Sequence, residues 1–136
     1  NDFVLPIDQR RLFPFVEPTY TAYTEQGFDV PQVQEKIKQN IQYLFYRILG
    51  QDLSLDDPEI IAAYDLYIDM QQTGQALIEA ESESQYLQWS CRGREEFWTG
   101  YDYPSDMAIS RDSNYSIRAW RGIVAYLLSD YHFLYE

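Results

Sequence analysis

The sequence is poor in the residues that most often carry catalysis or bind metals. Its 136 residues include one cysteine, Cys91, and one histidine, His132. A single cysteine forms no disulfide within the chain and builds no cysteine-based zinc site, and the c-type haem motif C-x-x-C-H is absent. His132 lies between Tyr131 and Phe133, and the sequence places no carboxylate or nucleophile beside it, which is more typical of a structural histidine than of a catalytic base. The sequence therefore predicts a protein that is not an enzyme and has no cofactor.

Basic residues are also scarce, because the chain has 10 lysines and arginines against 22 aspartates and glutamates. The resulting net charge of −12 repels the phosphate backbone of nucleic acids and the anionic surface of membranes, so neither is an expected partner. Long hydrophobic runs are absent too. The uncharged stretch 122–129 is far shorter than the ~20 apolar residues that span a bilayer, so we expect no membrane insertion.

Aromatic residues, in contrast, make up 17% of the chain, with 13 tyrosines. Residues 1–28 combine several of them with Pro6, Pro14 and Pro18. Proline fixes φ and lacks a donor, so these prolines prevent a long regular helix in the first part of this segment. Its aromatic content is too high for a disordered linker. We predict an extended aromatic arm at 1–28 that packs over a helical body or over a partner, with a short helix at 19–26.

Apolar residues at spacings of three and four predict four main helices in the rest of the chain. The first follows the N-cap Asp29 and ends at Gly50, a natural C-cap. The second begins in the acidic segment 54–59, and Gly74 is expected to end it. The two remaining predicted helices are residues 75–92 and the stretch that starts near residue 112.

An irregular stretch, residues 94–111, separates the last two predicted helices. It is longer than a usual connection and rich in aromatic residues, which is not typical of a loop that only connects two helices. No strand pattern is present in the sequence. The predicted fold is therefore all-α: a small bundle of four main helices in a single helical domain, residues 29–136. The proline- and aromatic-rich arm, residues 1–28, precedes it, and a long aromatic loop lies before the last helix.

The acidic segment 52–59 is the strongest candidate for a metal site. Its carboxylates are ligands of the kind that bind calcium, but it lacks the glycine and the regular ligand alternation of an EF-hand. Capping of the second predicted helix accounts for these residues, since carboxylates stabilise a helix N-terminus. No metal is therefore predicted.

The aromatic residues of the arm and the loop are the candidate binding site. Tyrosine and tryptophan are enriched in protein interfaces because they tolerate partial exposure to water. We predict that another protein binds Phe3, Phe13, Phe15, Tyr20, Tyr23, Phe97, Trp98, Tyr101 and Tyr103. Five helical tyrosines flank the apolar stripes, and their pattern fits boundary packing and an interface equally well: Tyr43, Tyr46, Tyr64, Tyr67 and Tyr126.

Two other functions are compatible with the sequence. The loop carries four carboxylates beside aromatic rings, at Glu95, Glu96, Asp102 and Asp106. Glycosidases use two carboxylates, one of which protonates the leaving group while the other attacks or activates water. A carboxylate-based glycan hydrolase, or a glycan-binding module whose rings Trp98 or Tyr101 stack on a sugar, is therefore the alternative function of residues 94–111. A small-ligand pocket between the third and fourth predicted helices is the third interpretation.

Two sets of short motifs resemble those of a known group. Residues 46–50 read Y-R-I-L-G and precede Ser54 and Asp56-Asp57, while 119–121, 127–130 and 133–136 read A-W-R, L-L-S-D and F-L-Y-E. Together they resemble uncharacterised helical domains of large exported proteins of planctomycete and myxobacterial type, which often accompany c-type cytochrome modules. The Y-R-x-L-G corner is also similar to that of phycobilisome-linker-like domains. The first resemblance implies export and membership of a larger cell-envelope assembly, and it carries over no catalytic residue.

The sequence thus predicts a non-catalytic structural or docking subunit of a larger cell-envelope or extracellular assembly. The resemblance implies that it is exported, to the periplasm or to the cell surface. Its aromatic arm and loop are expected to bind another protein subunit, in a cytochrome-containing complex or in an assembly of identical chains. The missing haem-attachment motif argues against a direct electron-transfer role.

Overall fold

The computed structural model describes residues 2–20, 30–88, 92–94, 99–103 and 108–130. These residues contain three α-helices: α1 (Val30–Leu44), α2 (Pro58–Glu79) and α3 (Ser116–Leu128). Two 3-10 turns, Asp2–Val4 and Ile7–Gln9, precede them, and a π-helical turn, Phe45–Leu49, extends α1. The same residues hold no strand, only isolated antiparallel β-bridges. The all-α prediction is confirmed, with three helices in place of the four expected.

Helix α1 forms because its apolar residues recur on one face. Four fully buried residues at spacings of four and three make up this face: Val33, Ile37, Ile41 and Leu44. The π turn continues the helix, and Gly50 ends it at φ +67°, in the left-handed region that favours glycine. The first predicted helix is therefore confirmed. Its expected N-cap, Asp29, and most of the short helix expected at 19–26 fall outside the described residues.

Helix α2 begins as the sequence predicts. Asp57 is the N-cap, and its carboxylate accepts a hydrogen bond from the backbone N–H of Glu59 at 2.9 Å. Pro58 occupies the first turn, where its missing N–H costs nothing. Helix capping therefore employs one of the acidic residues in segment 52–59.

The predicted end of this helix at Gly74 is wrong, because α2 continues through Gly74 to Glu79. Gly74 is buried, and a Cβ at this position would collide with the ring of Tyr115. The glycine permits close packing against the residue that precedes α3, and it is not a helix C-cap. Beyond α2 the backbone turns at Glu81, with φ +59°, and residues 81–88 are not helical. A separate third helix at 75–92 is therefore also wrong.

The described parts of residues 81–112 form an irregular antiparallel loop. The N–H of Leu87 donates to the carbonyl of Ser110 at 2.9 Å, and Gly93 and Ile109 exchange two backbone hydrogen bonds, at 2.8 and 2.9 Å. These bonds join the two limbs of the loop and bury Leu87. Leu87, an apolar residue of the predicted helix 75–92, is thus buried within an irregular loop and not on a helix face.

Helix α3 starts slightly later than expected, at Ser116, and Asp112 lies four residues before its first residue. The buried carboxylate of Asp112 accepts hydrogen bonds from the backbone N–H groups of Ile117, at 2.9 Å, and Arg118, at 3.0 Å. The Nε of Arg118 also donates to it at 3.0 Å. A carboxylate beside the first turn stabilises a helix N-terminus. The sequence signal at Asp112 is therefore genuine, although the first helical residue is Ser116.

The described part of the arm, residues 2–20, packs against the helices and completes the core. The ring of Phe3 stacks on that of Phe13 with centroids 4.5 Å apart, and Phe13 meets Trp120 of α3 at 5.5 Å. Trp120 in turn lies 4.5 Å from the ring of Tyr67 in α2. The arm therefore covers an aromatic contact between α2 and α3.

Polar side chains of the helical body hold this arm in place. The buried Asn40 of α1 accepts a hydrogen bond from the N–H of Phe15 at 3.2 Å and donates to the carbonyl of Leu12 at 3.1 Å. Near the start of α3, the amide of Asn114 donates to the carbonyl of Pro18 at 3.1 Å. These bonds satisfy backbone groups of the arm that packing removes from water.

Candidate functional site

The structure divides the predicted interface residues into three groups. Phe3, Phe13 and Tyr20 are buried in this chain's own core, with 5, 7 and 8% of each residue exposed. Tyr23, Phe97 and Trp98 lie outside the described residues. Phe15 and Tyr101 are 38 and 77% exposed, and Tyr103 is half-buried. Within the described chain, the predicted rings that a partner can reach are those of the third group.

Phe15 belongs to a larger surface, which we call the Arg–Tyr face. It comprises Arg11 and Phe15 of the arm, Tyr43 near the end of α1, and Tyr46 and Arg47 of the π turn. The Phe15 and Tyr43 rings meet edge to face with centroids 5.9 Å apart, and the Tyr43 hydroxyl donates to the carbonyl of Arg11 at 3.1 Å. Tyr46 and Arg47 follow Tyr43 by about one helical turn, which places them on the same side of the helix.

The Arg–Tyr face is accessible at its edges and supported at its centre. Tyr46 is 60% exposed, and both arginines of the face are exposed, while Tyr43 is half-buried. The π turn widens the backbone here, so that the N–H of Gln51 reaches the carbonyl of Phe45 at 3.3 Å. Single π turns inside helices occur frequently at functional sites.

The two arginines of this face carry positive charge without a counter-ion among the described residues. In the part of the chain that the structure describes, the side chains of Arg11 and Arg47 make no ion pair and no hydrogen bond. Arg10, in contrast, is buried and pairs with Glu17 at 2.9 Å. Arg11 and Arg47 thus bring two exposed guanidiniums to this face in a chain whose net charge is −12. The Asp2 carboxylate lies near the first of them, because it accepts hydrogen bonds from the backbone N–H groups of Arg11 and Leu12, each at 3.0 Å.

Sequence reasoning identifies part of this face and misses its arginines. It names Phe15 as an interface residue and leaves Tyr43 and Tyr46 with two interpretations. The spacing of four residues between Tyr43 and Arg47 is a signal that places them on one helix face. The position of Arg11 depends on the path of the arm, which no periodicity describes.

The other helical tyrosines occupy different environments. Tyr64 is half-buried, with the Nζ of Lys38 lying 4.8 Å from its ring centroid. Tyr67 is fully buried, and this burial raises the pKa of its hydroxyl far above the ordinary value. Tyr126 is 49% exposed on α3. Boundary packing therefore describes Tyr64, and core packing describes Tyr67.

The alternative sites expected from the sequence are described only in part. Of the four loop carboxylates, Asp102 is exposed, and the others lie outside the described residues, so the glycan-hydrolase interpretation stays a prediction. A groove of about 530 Å³ lies between α2 and α3, lined in part by Met70, Leu77 and Tyr115. This groove is open to a small ligand. Its lining also carries the charged residues Asp69, Arg118 and Arg121, and the Arg118 guanidinium is already bonded to Asp112 at 3.0 Å.

Metal and membrane features were sought in the same described residues. They contain no group of three or more His, Cys, Asp or Glu side chains arranged to hold a metal ion. No helix among them combines the length and the apolar character that a membrane crossing requires.

Comparisons with known proteins add no relative. No family model, no curated protein and no solved structure matches this chain.

Proposed function

We propose that this chain is a non-catalytic docking module that binds another protein through the Arg–Tyr face. The observation that carries the proposal is a pair of exposed arginines, Arg11 and Arg47, that have no ion-pair partner among the described residues and share a face with the rings of Phe15, Tyr43 and Tyr46. Aromatic residues and arginine are enriched in protein interfaces, and tyrosine and arginine often supply most of the binding energy.

The partner offers an acidic segment to this face. Guanidiniums bind carboxylates through paired, charge-assisted hydrogen bonds, and the aromatic rings add apolar contact. The chain as a whole, with its net charge of −12, repels an acidic partner. The Arg–Tyr face thus fixes where the acidic segment docks, because charge complementarity governs orientation and specificity.

The proposed setting is a larger cell-envelope or extracellular assembly to which the chain is exported as a structural subunit. The motif resemblance supports this setting, and it makes a subunit of a cytochrome-containing complex or a further copy of this chain the candidate partner. Tyr101 of the loop, which is 77% exposed and lies outside the Arg–Tyr face, is a further ring available for docking.

Selection from a random displayed-peptide library on the immobilised full chain tests the proposal. We expect the selected peptides to be rich in Asp and Glu. Tyr46→Ala and Arg47→Gln should each weaken their binding by about tenfold, since each removes one direct contact with the peptide. Raising the salt concentration should weaken it as well, because the face and the peptides carry opposite charges.

Matched control variants separate the face from the rest of the surface. Leu77→Ala removes an apolar side chain that is 41% exposed in the last turn of α2, and Arg121→Gln removes an exposed guanidinium of α3. Both should leave peptide binding unchanged. Selected peptides without an acidic excess, or equal losses in the control variants, would contradict the proposal.

A further inference from the structure

A polar cavity of about 480 Å³ lies in the loop before α3 and shares no residue with the Arg–Tyr face. Its polar lining consists of Tyr86, Arg92, Arg94, Asp102, Tyr103 and Ser110. The volume falls within the range of small-molecule sites, roughly 300–1,000 Å³. We call this space the Tyr86 cavity.

Backbone pairing fixes the walls of the Tyr86 cavity. The N–H of Tyr103 donates to the carbonyl of Arg94 at 2.7 Å, which joins two segments of the lining. An antiparallel bridge links Tyr86 to Arg111, and another links Gly93 to Ile109. The backbone of these lining segments is therefore held in position before a ligand arrives, which lowers the entropic cost of binding.

Two arginines position the ring of Tyr86. Arg111 donates to the Tyr86 hydroxyl at 2.9 Å, and its Cζ lies 5.1 Å from the ring centroid. The Cζ of Arg92 lies 5.8 Å from the same centroid, and its Nε donates to the carbonyl of Leu87 at 2.8 Å. The ring thus stands at the edge of the cavity in a fixed orientation, with its guanidinium neighbours held by hydrogen bonds.

Positive charge is concentrated around this cavity. Arg92, Arg94 and Arg111 are three of only 10 basic residues in a chain with 22 acidic ones. Asp102 lies in the same lining, so the site combines cationic donors with a carboxylate acceptor. A ligand that satisfies both must itself present an anionic group and hydrogen-bond donors.

We propose that the Tyr86 cavity binds a sugar acid, a saccharide unit that carries a carboxylate. The guanidiniums of Arg92 and Arg94 bind the carboxylate, because their planar donors match its two oxygens. The carboxylate of Asp102 and the hydroxyl of Ser110 accept hydrogen bonds from the sugar hydroxyls. The ring of Tyr103 supplies an apolar surface for the sugar C–H groups. This site is independent of protein docking at the Arg–Tyr face.

Titration of the ¹⁵N-labelled full chain with sodium D-glucuronate, followed by two-dimensional NMR, tests this site. We expect saturable shifts in the backbone amides of the cavity lining, and no saturable shifts with D-glucose or inorganic phosphate. Arg94→Gln should weaken glucuronate binding by about tenfold, because one charge-assisted interaction is lost. Asp102→Asn replaces a second exposed residue of the lining, and it should also weaken glucuronate binding. Arg121→Gln and Tyr46→Ala should not change it.

Each remaining outcome overturns the proposal. If glucuronate causes no saturable shifts in the amides of the lining, the cavity does not bind a sugar acid. Equal binding of glucose removes the role assigned to the arginines. Phosphate that binds as well as glucuronate identifies a general anion site. Since Tyr46→Ala tests the docking proposal separately, failure of one proposal leaves the other standing.

Discussion

At the scale of single residues, two glycines determine how closely α2 and α3 approach. Gly74 of α2 lies beneath the ring of Tyr115, and Gly122 of α3 lies against the side chain of Met70. A Cβ on Gly74 would meet the ring close to its attachment to the backbone, where it has little freedom to move. A Cβ on Gly122 would meet a flexible thioether, which adapts to its surroundings.

We predict that Gly74→Ala lowers the free energy of unfolding by about 2 kcal/mol, because overpacking against Tyr115 outweighs the gain of about 1 kcal/mol in helix propensity. Gly122→Ala is the matched control, and it should cost clearly less because Met70 can move aside. Urea denaturation of both variants measures the difference. Equal losses, or stabilisation by Gly74→Ala, would show that the ring does not limit the approach of the helices.

Tyr67 is a fully buried residue whose titration affects stability. Burial, followed by the nearby charge of Asp112, raises the pKa of its hydroxyl far above the ordinary value of 10.0. The hydroxyl donates weakly to the carbonyl of Tyr20, at 3.4 Å. In the folded protein it therefore keeps its proton at a pH where the unfolded chain releases it.

Stability should consequently be lost as the pH rises above 10, since the unfolded state then binds fewer protons than the folded state. Tyr67 alone contributes a decline of roughly 1.4 kcal/mol per pH unit in this window. Urea denaturation of the wild type and of Tyr67→Phe between pH 8 and about 11 measures it. The variant should lose less stability than the wild type over this range. Parallel curves would show that Tyr67 titrates alike in both states.

At the scale of elements, Arg10 organises the arm. Its guanidinium donates to the carbonyls of Leu5, at 2.9 Å, and Val16, at 2.7 Å, and pairs with Glu17 at 2.9 Å. Its Cζ also lies 5.4 Å from the ring of Phe3. One buried side chain thus links both halves of the described arm, which contains no long helix or strand.

We predict that Arg10→Ala lowers the free energy of unfolding by about 2–3 kcal/mol, because it leaves buried carbonyls without a donor. The neighbouring Arg11→Ala should change it by less than about 0.5 kcal/mol, since the Arg11 side chain is exposed. Thermal and urea unfolding of both variants check this contrast. If the two variants lose the same stability, the arm is not held by Arg10.

The elements also show how far sequence patterns reach. The stripe of α1, its terminal Gly50 and the cap of α2 at Asp57 were predictable, because each rests on local spacing and backbone preference. Gly74 misled the prediction, since its role is a long-range contact with Tyr115. The arm aromatics were expected at an interface, but Phe13 packs on Trp120, more than 100 positions along the chain.

At the scale of the whole molecule, the Arg–Tyr face contrasts with the charge around it. The chain carries a net charge of −12, while Arg11 and Arg47 have no ion-pair partner among the described residues. Half of this face was predictable, because the tyrosines flank a helical stripe. The other half depends on the fold, which brings Arg11 of the arm beside Tyr43 of α1.

Site-specific photocross-linking in the source cells tests docking at this face. A benzoylphenylalanine residue replaces Tyr46 in one variant and Leu77 in the other, and mass spectrometry identifies the cross-linked peptides. We predict that position 46 captures an acidic segment of another protein, that position 77 does not, and that Arg47→Gln reduces the yield at position 46. Equal yields at the two positions, or cross-links at position 46 only within the same chain, would contradict docking through the Arg–Tyr face.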